Sequence, residues 1–133
     1  INNMKIFGIG TDIVNIKRIE KTLKSKGVAF KKKIFSKNEI DYCDNKKNPI
    51  PFYAKRFAAK EALSKALGTG LRKGIRLKDI EIFNDNFGKP SIKLNGYTNS
   101  YLKKKIKTSK YKIYLSLSDD KPWAQATVII SYN

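Results

Sequence analysis

The sequence predicts one domain of the α+β class. Its 133 residues match the usual size of a single domain. Runs that alternate apolar and polar residues, as strands do, occur in the second half, and segments with helical periodicity occur along the whole chain. No repeat, low-complexity tract or long linker interrupts the chain, so one domain over residues 1–133 is expected. Residues 1–3 precede Met4 and are interpreted as vector-derived.

The first strand and the first helix are predicted from residues 5–26. The β-branched and aromatic segment KIFGIGTDI (residues 5–13) is typical of a short strand, which ends near Asp12. Asn15 can then cap a helix that continues to about Lys26, because apolar residues recur at helical spacing while basic residues face outward. This helix is therefore expected to be amphipathic, with a basic outer face.

Two further helices are predicted before residue 70. Ser36 and Glu39 form a capping-box pattern, which indicates a short helix that ends near Asp44. Pro51 suits the first turn of the next helix, which runs to Leu67 and stops at the glycine that follows.

The second half of the chain predicts four strands and one helix. Period-two alternation, broken by glycine and proline turns, marks the strands. The first two strands form a hairpin of DIEIFND (79–85) and PSIKLN (90–95). A helix is expected over residues 97–107. The final antiparallel pair consists of YKIYLSLS (111–118) and WAQATVIIS (123–131), joined by a turn at 119–122.

The net charge of +18, from 29 basic and 11 acidic residues, predicts attraction to an anionic partner. Nucleic acid, a phosphorylated cofactor, an acidic protein and an acidic membrane surface all fit. Alternatively, the charge has a compositional origin. The chain is rich in Lys, Asn and Ile together, which A/T-rich codons favour, and many of the lysines would then lie on solvated faces without a partner. The basic stretch Lys103–Lys107 is interpreted as such a solvated stretch.

Missing residue types exclude several kinds of chemistry. The chain has no histidine and a single cysteine, Cys43, which rules out Ser-His-Asp and Cys-His catalysis, Cys/His zinc sites and intrachain disulfides. A metal would be held by oxygen ligands, which favours magnesium. No apolar run approaches the roughly 20 residues that span a bilayer, and no signal-peptide pattern is present, so a soluble intracellular protein is expected.

The segment RFAAKEALSKALGTG (residues 56–70) is the richest candidate site. Glu61 and Lys65 are four residues apart on one helix face, beside alanines at every fourth position that leave room for a ligand or another backbone. An ordinary surface ion pair explains the same spacing. The glycines of GTG suit a helix C-cap better than a phosphate cradle, because phosphates prefer helix N-termini.

Asp12 is a second candidate. It ends an apolar strand and follows Gly8 and Gly10, which permit close backbone approach. A simple turn or capping aspartate is the alternative. The segment GIGTD lacks the third glycine of a dinucleotide-binding fingerprint and does not predict one.

Three segments together resemble the phosphopantetheinyl transferase family, in particular its small bacterial holo-acyl-carrier-protein synthases. They are GIGTDIVNIKRIE (8–20), RFAAKEALSKALGTG (56–70) and FNDNFGKP (83–90), in the order and at the spacing typical of that family. The resemblance covers nearly the whole chain.

The resemblance implies both a fold and an activity. The fold is a single α+β domain with a ferredoxin-like antiparallel sheet packed with helices. The activity is magnesium-dependent transfer of the 4'-phosphopantetheine arm of coenzyme A to a serine hydroxyl of apo acyl carrier protein, which leaves adenosine 3',5'-bisphosphate and serves fatty acid biosynthesis. A cytoplasmic homotrimer with active sites at subunit boundaries is implied, with neither nucleic acid nor membrane among its partners.

The same resemblance assigns roles to residues. Asp12 and Glu61 would ligate Mg²⁺, supplied by adjacent chains of the trimer, with Lys65 against the phosphates as a third catalytic residue. The proton of the incoming serine would go to Glu61, Asp12 or a metal-bound water, with Glu61 or its water ranked first. The cofactor-binding set is Arg56, Lys60, Lys65, Lys89 and Pro90, and the set that binds the acidic carrier is Arg18, Lys21 and Lys24.

One departure and two rival functions accompany this assignment. Asp119 stands where many relatives carry a histidine, which puts one wall of the cofactor pocket in doubt. The main rival is a small basic nucleic-acid- or ribosome-binding protein, in which Asp12 and Glu61 would be dispensable. The other is a protein that binds coenzyme A without transferring its arm.

Overall fold

The computed structural model describes residues 3–133, and the interpretation of residues 1–3 as vector-derived falls mostly outside that range. The predicted α+β class is confirmed, with every strand and helix expected from the sequence present. The strands are β1 (Lys5–Asn15), β2 (Ile80–Asn84), β3 (Pro90–Leu94), β4 (Tyr111–Asp120) and β5 (Trp123–Tyr132), and the helices are α1 (Ile16–Ile34), α2 (Lys37–Asp44), α3 (Ile50–Ala66) and α4 (Gly96–Ile106).

The antiparallel strands form two sheets. The larger has the order β1-β5-β4, so the last strand of the chain lies in the centre, between the first strand and β4. The smaller is the β2-β3 hairpin, preceded by a 3-10 turn over Leu77–Asp79. This arrangement places the ends of the chain side by side at one end of the larger sheet, where Lys5 pairs with Tyr132.

Helix α3 packs on the inner face of the larger sheet and forms the centre of the core. Ala54, Ala58 and Ala62 are completely buried there. Of the two expectations for this alanine stripe, close approach of another backbone is confirmed, because strand β1 lies against Ala62, and access for a ligand is wrong, because the chain's own sheet covers the stripe. Small side chains on this face allow the helix to lie unusually close to the strands.

Helix α1 begins where the sequence indicates and continues further than predicted. The side chain of Asn15 accepts a hydrogen bond from the backbone N–H of Lys17, as an N-cap should. The predicted end near Lys26 coincides with a break at Gly27, whose φ of 46° and ψ of −121° lie outside the helical region. Glycine tolerates this conformation, and a second helical piece then continues to Ile34.

Helix α2 carries the predicted capping box. The Ser36 hydroxyl accepts from the Glu39 N–H, and the Glu39 carboxylate accepts from the Ser36 N–H. Cys43 on this helix is fully buried, and burial raises the pKa of its thiol to about 12. No helix within residues 3–133 has the length and apolar character needed to cross a membrane.

Candidate active site

Two glycines bring strand β1 into direct contact with helix α3. A Cβ atom on Gly10 would lie 1.9 Å from the carbonyl oxygen of Ala62, and one on Gly8 would lie 1.9 Å from that of Ala66. Neither contact is possible for a real side chain, so the strand and the helix can approach this closely only with glycine at both positions. The close approach expected at Gly8 and Gly10 is confirmed, and it places Asp12 beside the outward face of α3.

A cavity of about 390 Å³ opens at this contact. Asp12 and Glu61 both line it, together with Arg18 at the start of α1. Its other walls are mostly apolar and consist of Ile13, Val14, Ile19, Thr22, Phe30 and Phe57. The structure therefore brings two carboxylates and one guanidinium together in a half-apolar pocket, which is the usual composition of a ligand site.

The alternative explanation of the Glu61–Lys65 spacing, an ordinary surface ion pair between these two residues, is wrong. The amine of Lys65 instead lies 3.0 Å from Oδ1 of Asp12 and donates to the carbonyl oxygen of Thr11 at 3.1 Å. The side chain of Lys65 is 53% exposed and that of Asp12 17% exposed. A cation thus already lies beside one of the two carboxylates that line the cavity.

The environment of Glu61 disfavours its charge. Burial raises the pKa of its carboxyl above the ordinary value, the negative charge of Asp12 raises it further, and Lys65 acts in the opposite direction. Because Asp12 and Glu61 interact within one chain and line one cavity, the expectation that adjacent chains supply them is wrong. The contact between β1 and α3, made possible by Gly8 and Gly10, joins them intramolecularly.

The donor set fits a hard cation. Carboxylate oxygens are the protein ligands that Mg²⁺ prefers, and two of them leave most of its octahedral shell to water and substrate oxygens. Within residues 3–133 no three His, Cys, Asp or Glu side chains converge, so no all-protein cage for a metal forms there. A cation would also relieve the repulsion that raises the pKa of Glu61.

Lys60, expected among the cofactor-binding residues, is directed into the core. Its side chain is 0% exposed, and its amine donates to the carbonyl oxygens of Leu77 and Ile80 and lies 2.7 Å from Oε1 of Glu39. Burial lowers the pKa of Lys60, while the Glu39 carboxylate acts in the opposite direction. All three N–H groups are occupied, so this amine cannot reach a phosphate and the prediction is wrong.

Arg56 lies one turn before Lys60 and is also nearly buried. Its guanidinium stacks on the ring of Tyr42 at 4.1 Å and donates from Nη2 to Oδ1 of Asn84 at 2.8 Å. Its Nε is buried without a hydrogen-bond partner. An unsatisfied buried donor is costly and commonly marks a place where an acceptor binds.

The turn between β2 and β3 is tied to Arg56 through Asn84. The Asn84 amide nitrogen donates to the carbonyl oxygen of Gly88, and Oδ1 of Asp85 accepts from the N–H of Lys89. Pro90 opens β3 opposite Asn84. Lys89 and Pro90 therefore belong to a rigid turn joined to Arg56, and neither they nor Arg56 line the cavity of Asp12 and Glu61.

The three residues expected to bind the carrier lie along α1. Arg18 lines the cavity, whereas Lys21 and Lys24 are exposed farther along the helix. Lys24 makes a loose ion pair with Glu20 at 3.7 Å, and both side chains are largely exposed. The outward basic face predicted for this helix is confirmed.

Asp119 has a basic partner on α3. Its Oδ1 lies 3.3 Å from the amine of Lys55, which also stands 4.8 Å above the ring of Phe52. The carboxylate that replaces the histidine of many relatives is thus neutralised in this chain.

Sequence reasoning missed the residues that connect the site to the core. Glu39 was recognised only as a helix cap, yet it also accepts from the N–H of Ile82 at 3.0 Å and pairs with Lys60. Asn84 was part of a recognised segment without a role of its own. Lys60 itself could have pointed to these residues, since a lysine among five core-facing alanines must have buried hydrogen-bond partners.

Comparison with known proteins gives a consistent result. The model of the 4'-phosphopantetheinyl transferase superfamily matches residues 8–126. The holo-[acyl-carrier-protein] synthase of Pelagibacter ubique is 47% identical over 127 residues, which cover 96% of this chain and 98% of the relative.

Solved structures agree in fold over nearly the full length. The holo-[acyl-carrier-protein] synthase of Neisseria meningitidis superposes with a TM-score of 0.85 at 36% identity, covering 95% of this chain and 98% of that one. That of Bacillus anthracis, solved in complex with CoA (3',5'-ADP), gives a TM-score of 0.78 at 36% identity, covering 96% and 98%.

Proposed function

The chain belongs to the 4'-phosphopantetheinyl transferase superfamily, and from this premise we propose how its own residues perform the transfer. Like the relatives it matches, it moves the phosphopantetheine group of coenzyme A to apo acyl carrier protein. We place this reaction in fatty acid biosynthesis in the cytoplasm. The nucleic-acid-binding alternative loses its basis, because the family and its named relatives give the chain a transferase activity instead.

The observation that carries the proposal is the shared cavity of Asp12 and Glu61. These carboxylates would hold Mg²⁺, which when bound neutralises charge on the pyrophosphate of coenzyme A. Glu61, or a water molecule that it holds, would accept the proton of the serine hydroxyl.

Lys65 would neutralise charge on the leaving group. In the free protein its amine is held by Asp12 at 3.0 Å, and its half-exposed side chain is free to turn toward a phosphate. Transfer of a phosphoryl group from the pyrophosphate of coenzyme A to the serine hydroxyl depends mainly on positioning and charge neutralisation, so a half-exposed cation beside Asp12 is a suitable device. Arg18, which lines the same cavity, would guide the acidic carrier toward it.

Arg56, Lys89 and Pro90 would bind another part of coenzyme A. The unpartnered Nε of Arg56 supports a phosphate acceptor there, and the rigid β2-β3 turn adds the exposed amine of Lys89. Because this group does not line the cavity of Asp12 and Glu61, we propose that one coenzyme A contacts the cavity of one chain and the turn of its neighbour.

The outer face of the larger sheet supports such an assembly. Ile9, Ile129 and Tyr114 are in register across its three strands, and Ile9 is 64% and Tyr114 44% exposed. No helix within residues 3–133 packs over this row, since α3 occupies the opposite face. Covering such a row is a common reason for self-association, and we propose a homotrimer with its active sites at subunit boundaries.

The transfer itself is tested by the intact mass of apo acyl carrier protein after incubation with coenzyme A, Mg²⁺ and the protein. We expect the gain of one phosphopantetheine group, lost in Asp12→Asn and Glu61→Gln but kept in Asp41→Asn, an exposed carboxylate on α2. No gain with the wild type would refute the function. Binding of coenzyme A without any gain would support the rival that only binds it.

The subunit boundary is tested by mixing two variants. Glu61→Gln and Lys89→Ala should each be impaired, and a trimer formed from both should regain activity if each site takes Glu61 and Lys89 from different chains. Absence of any regain after unfolding and refolding the mixture would show that one chain supplies both residues.

A further inference from the structure

The two carboxylates of the cavity are not equally accessible to a cation. Glu61 lines the cavity and takes part in no ion pair among the residues that the structure describes, 3–133. Oδ1 of Asp12, in contrast, lies 3.0 Å from the amine of Lys65. One carboxylate is therefore available to a metal ion, whereas an ammonium group already occupies the other.

Two acceptors on strand β1 hold the amine of Lys65 in this position. It donates to Oδ1 of Asp12 at 3.0 Å and to the carbonyl oxygen of Thr11 at 3.1 Å. These acceptors are consecutive residues of β1, and Gly10 just before them allows the strand to lie against α3. Lys65 belongs to α3, one turn after Glu61. The contact between β1 and α3 therefore builds the cavity and this ion pair together.

A divalent cation and the amine of Lys65 compete for Asp12. Mg²⁺ binds carboxylate oxygens directly, and an ammonium group that donates to the same oxygen both occupies space beside it and repels the metal ion. Displacing an exposed ion pair changes an affinity by about twofold to fivefold, and the repulsion between the two cations adds to this. We therefore expect Lys65 to weaken metal binding by about fivefold to tenfold while it stays on Asp12.

The side chain of Lys65 is able to leave Asp12. It is 53% exposed, whereas that of Lys60 on the same helix is 0% exposed and has all three N–H groups occupied. The Lys65 amine donates to two acceptors, which leaves one N–H for a third. The pyrophosphate of coenzyme A carries more negative charge and more acceptor oxygens than one carboxylate, so it would draw this amine away from Asp12.

We propose that Lys65 couples metal binding to coenzyme A binding. Its amine blocks Asp12 until the pyrophosphate draws it away, and a divalent cation then gains the second carboxylate beside Glu61. Coupling between two ligands is reciprocal, so the metal ion raises the affinity for coenzyme A by the same factor. This inference rests on the proposed function, because it takes Asp12 and Glu61 as metal ligands and coenzyme A as the substrate.

The test measures the dissociation constant of Mn²⁺, which accepts the same oxygen ligands as Mg²⁺ and whose unbound fraction is counted by electron paramagnetic resonance. Each protein is titrated without and with saturating coenzyme A, in the absence of carrier, and Mn²⁺ bound by coenzyme A in solution is subtracted.

The variant is Lys65→Met, which keeps the length of the side chain and removes its amine. Its matched control is Lys37→Met, because Lys37 is an exposed lysine whose amine lies 3.1 Å from Asp41 on α2. Both have a net charge of +17, from +18 minus one. Lys65→Gln serves as a second variant if Lys65→Met does not fold, as judged by its urea midpoint.

Without coenzyme A, Lys65→Met should bind Mn²⁺ about fivefold to tenfold more tightly than the wild type, because Asp12 is then open. Lys37→Met should stay within about twofold, since salt screens an exposed charge elsewhere. With coenzyme A, the advantage of Lys65→Met should shrink to about twofold or less, because the phosphates have already moved the amine in the wild type.

Two results would overturn the coupling and leave the metal site standing. One is equal Mn²⁺ affinity of the wild type and Lys65→Met without coenzyme A. The other is the same gain with and without coenzyme A, which would reduce the effect of Lys65 to general repulsion. Mn²⁺ binding that Asp12→Asn leaves unchanged, or no binding to any of the proteins, would instead refute the metal site of the proposed function and the coupling with it.

Discussion

Lys60 and Glu61 are neighbours on the same helix, yet their surroundings are opposite. Lys60 is fully buried, and its three N–H groups are satisfied by Glu39 and two backbone carbonyl oxygens. Glu61 borders a cavity, carries no ion pair within residues 3–133, and has a carboxyl whose pKa is raised by burial and by Asp12. The buried Lys60–Glu39 pair joins α3 to α2 and to the start of β2, whereas Glu61 faces the cavity and Asp12 is paired only with the half-exposed Lys65.

The difference shows how one helix can serve stability and chemistry at once. A buried charge whose hydrogen bonds are complete holds elements in place, and it cannot take part in a reaction without losing those bonds. A charge left incompletely compensated at a cavity is costly to the fold and available to a ligand. Consecutive side chains point about 100° apart around a helix axis, which is enough to direct Lys60 into the core and Glu61 to the cavity.

The largest effect should come from separating β1 from α3, which would disturb both regions. Gly10→Val places side-chain atoms where Cβ alone would lie 1.9 Å from the Ala62 carbonyl oxygen. We expect a loss of about 5 kcal/mol or more in the free energy of unfolding, measured in urea. Ile9→Val, one residue away on the exposed face, should cost less than about 0.5 kcal/mol, and equal losses would contradict the close contact.

Removing one partner of the buried pair should cost nearly as much. Lys60→Ala leaves Glu39 buried and uncompensated, so we expect a loss of about 3–5 kcal/mol in the free energy of unfolding. Lys65→Ala, which removes an exposed amine five residues later, should cost about 1 kcal/mol at most. Equal losses in the free energy of unfolding for Lys60→Ala and Lys65→Ala would contradict the view that Lys60 stabilises the core and Lys65 does not.

Substitution in the cavity should affect activity instead of stability. Glu61→Gln keeps the shape of the side chain but removes a charged oxygen, and we expect kcat/KM for phosphopantetheine transfer to fall about 10²- to 10³-fold. Its unfolding free energy should be no lower than that of the wild type. A variant that loses activity only in proportion to lost folded protein would place Glu61 among the structural residues.

The smallest effect should be a pH dependence of stability in metal-free buffer. Because the folded state raises the pKa of Glu61 above its usual 4.5, that state binds the proton more tightly than the unfolded state does. The free energy of unfolding contributed by this group should therefore decrease as pH rises through the titration of Glu61. Urea titrations should show a flatter profile for Glu61→Gln over that range, and parallel profiles would contradict the raised pKa.

Local patterns in the sequence predicted most of the fold. The Asn15 cap, the Ser36–Glu39 capping box and the stop at Gly68 depend on hydrogen bonds between residues a few positions apart, so the sequence expresses them directly. The continuation of α1 past Gly27 was missed, because a glycine break and a helix end look alike in sequence.

The directions of charged side chains could not be predicted from such patterns. Lys65 is four residues after Glu61, but its partner is Asp12, 53 positions away, and only the packing of β1 on α3 creates that contact. Likewise, Lys60 is enclosed by Glu39 of α2 and by the carbonyl oxygens of Leu77 and Ile80, which are distant in sequence. Local patterns made Asp12 and Glu61 candidates, and the family resemblance gave them a metal-binding role. Only the structure shows that both line one cavity in a single chain.

The buried thiol of Cys43 has a practical consequence for studying the carrier encounter. The chain contains a single cysteine, and burial with a pKa near 12 leaves almost no thiolate to react with maleimides or disulfide reagents at neutral pH. A cysteine introduced on the outer face of α1 would therefore be the only position that accepts a fluorophore. The native Cys43 therefore does not need to be replaced before single-site labelling. Energy transfer from a fluorophore on the introduced cysteine to a labelled carrier could be followed directly.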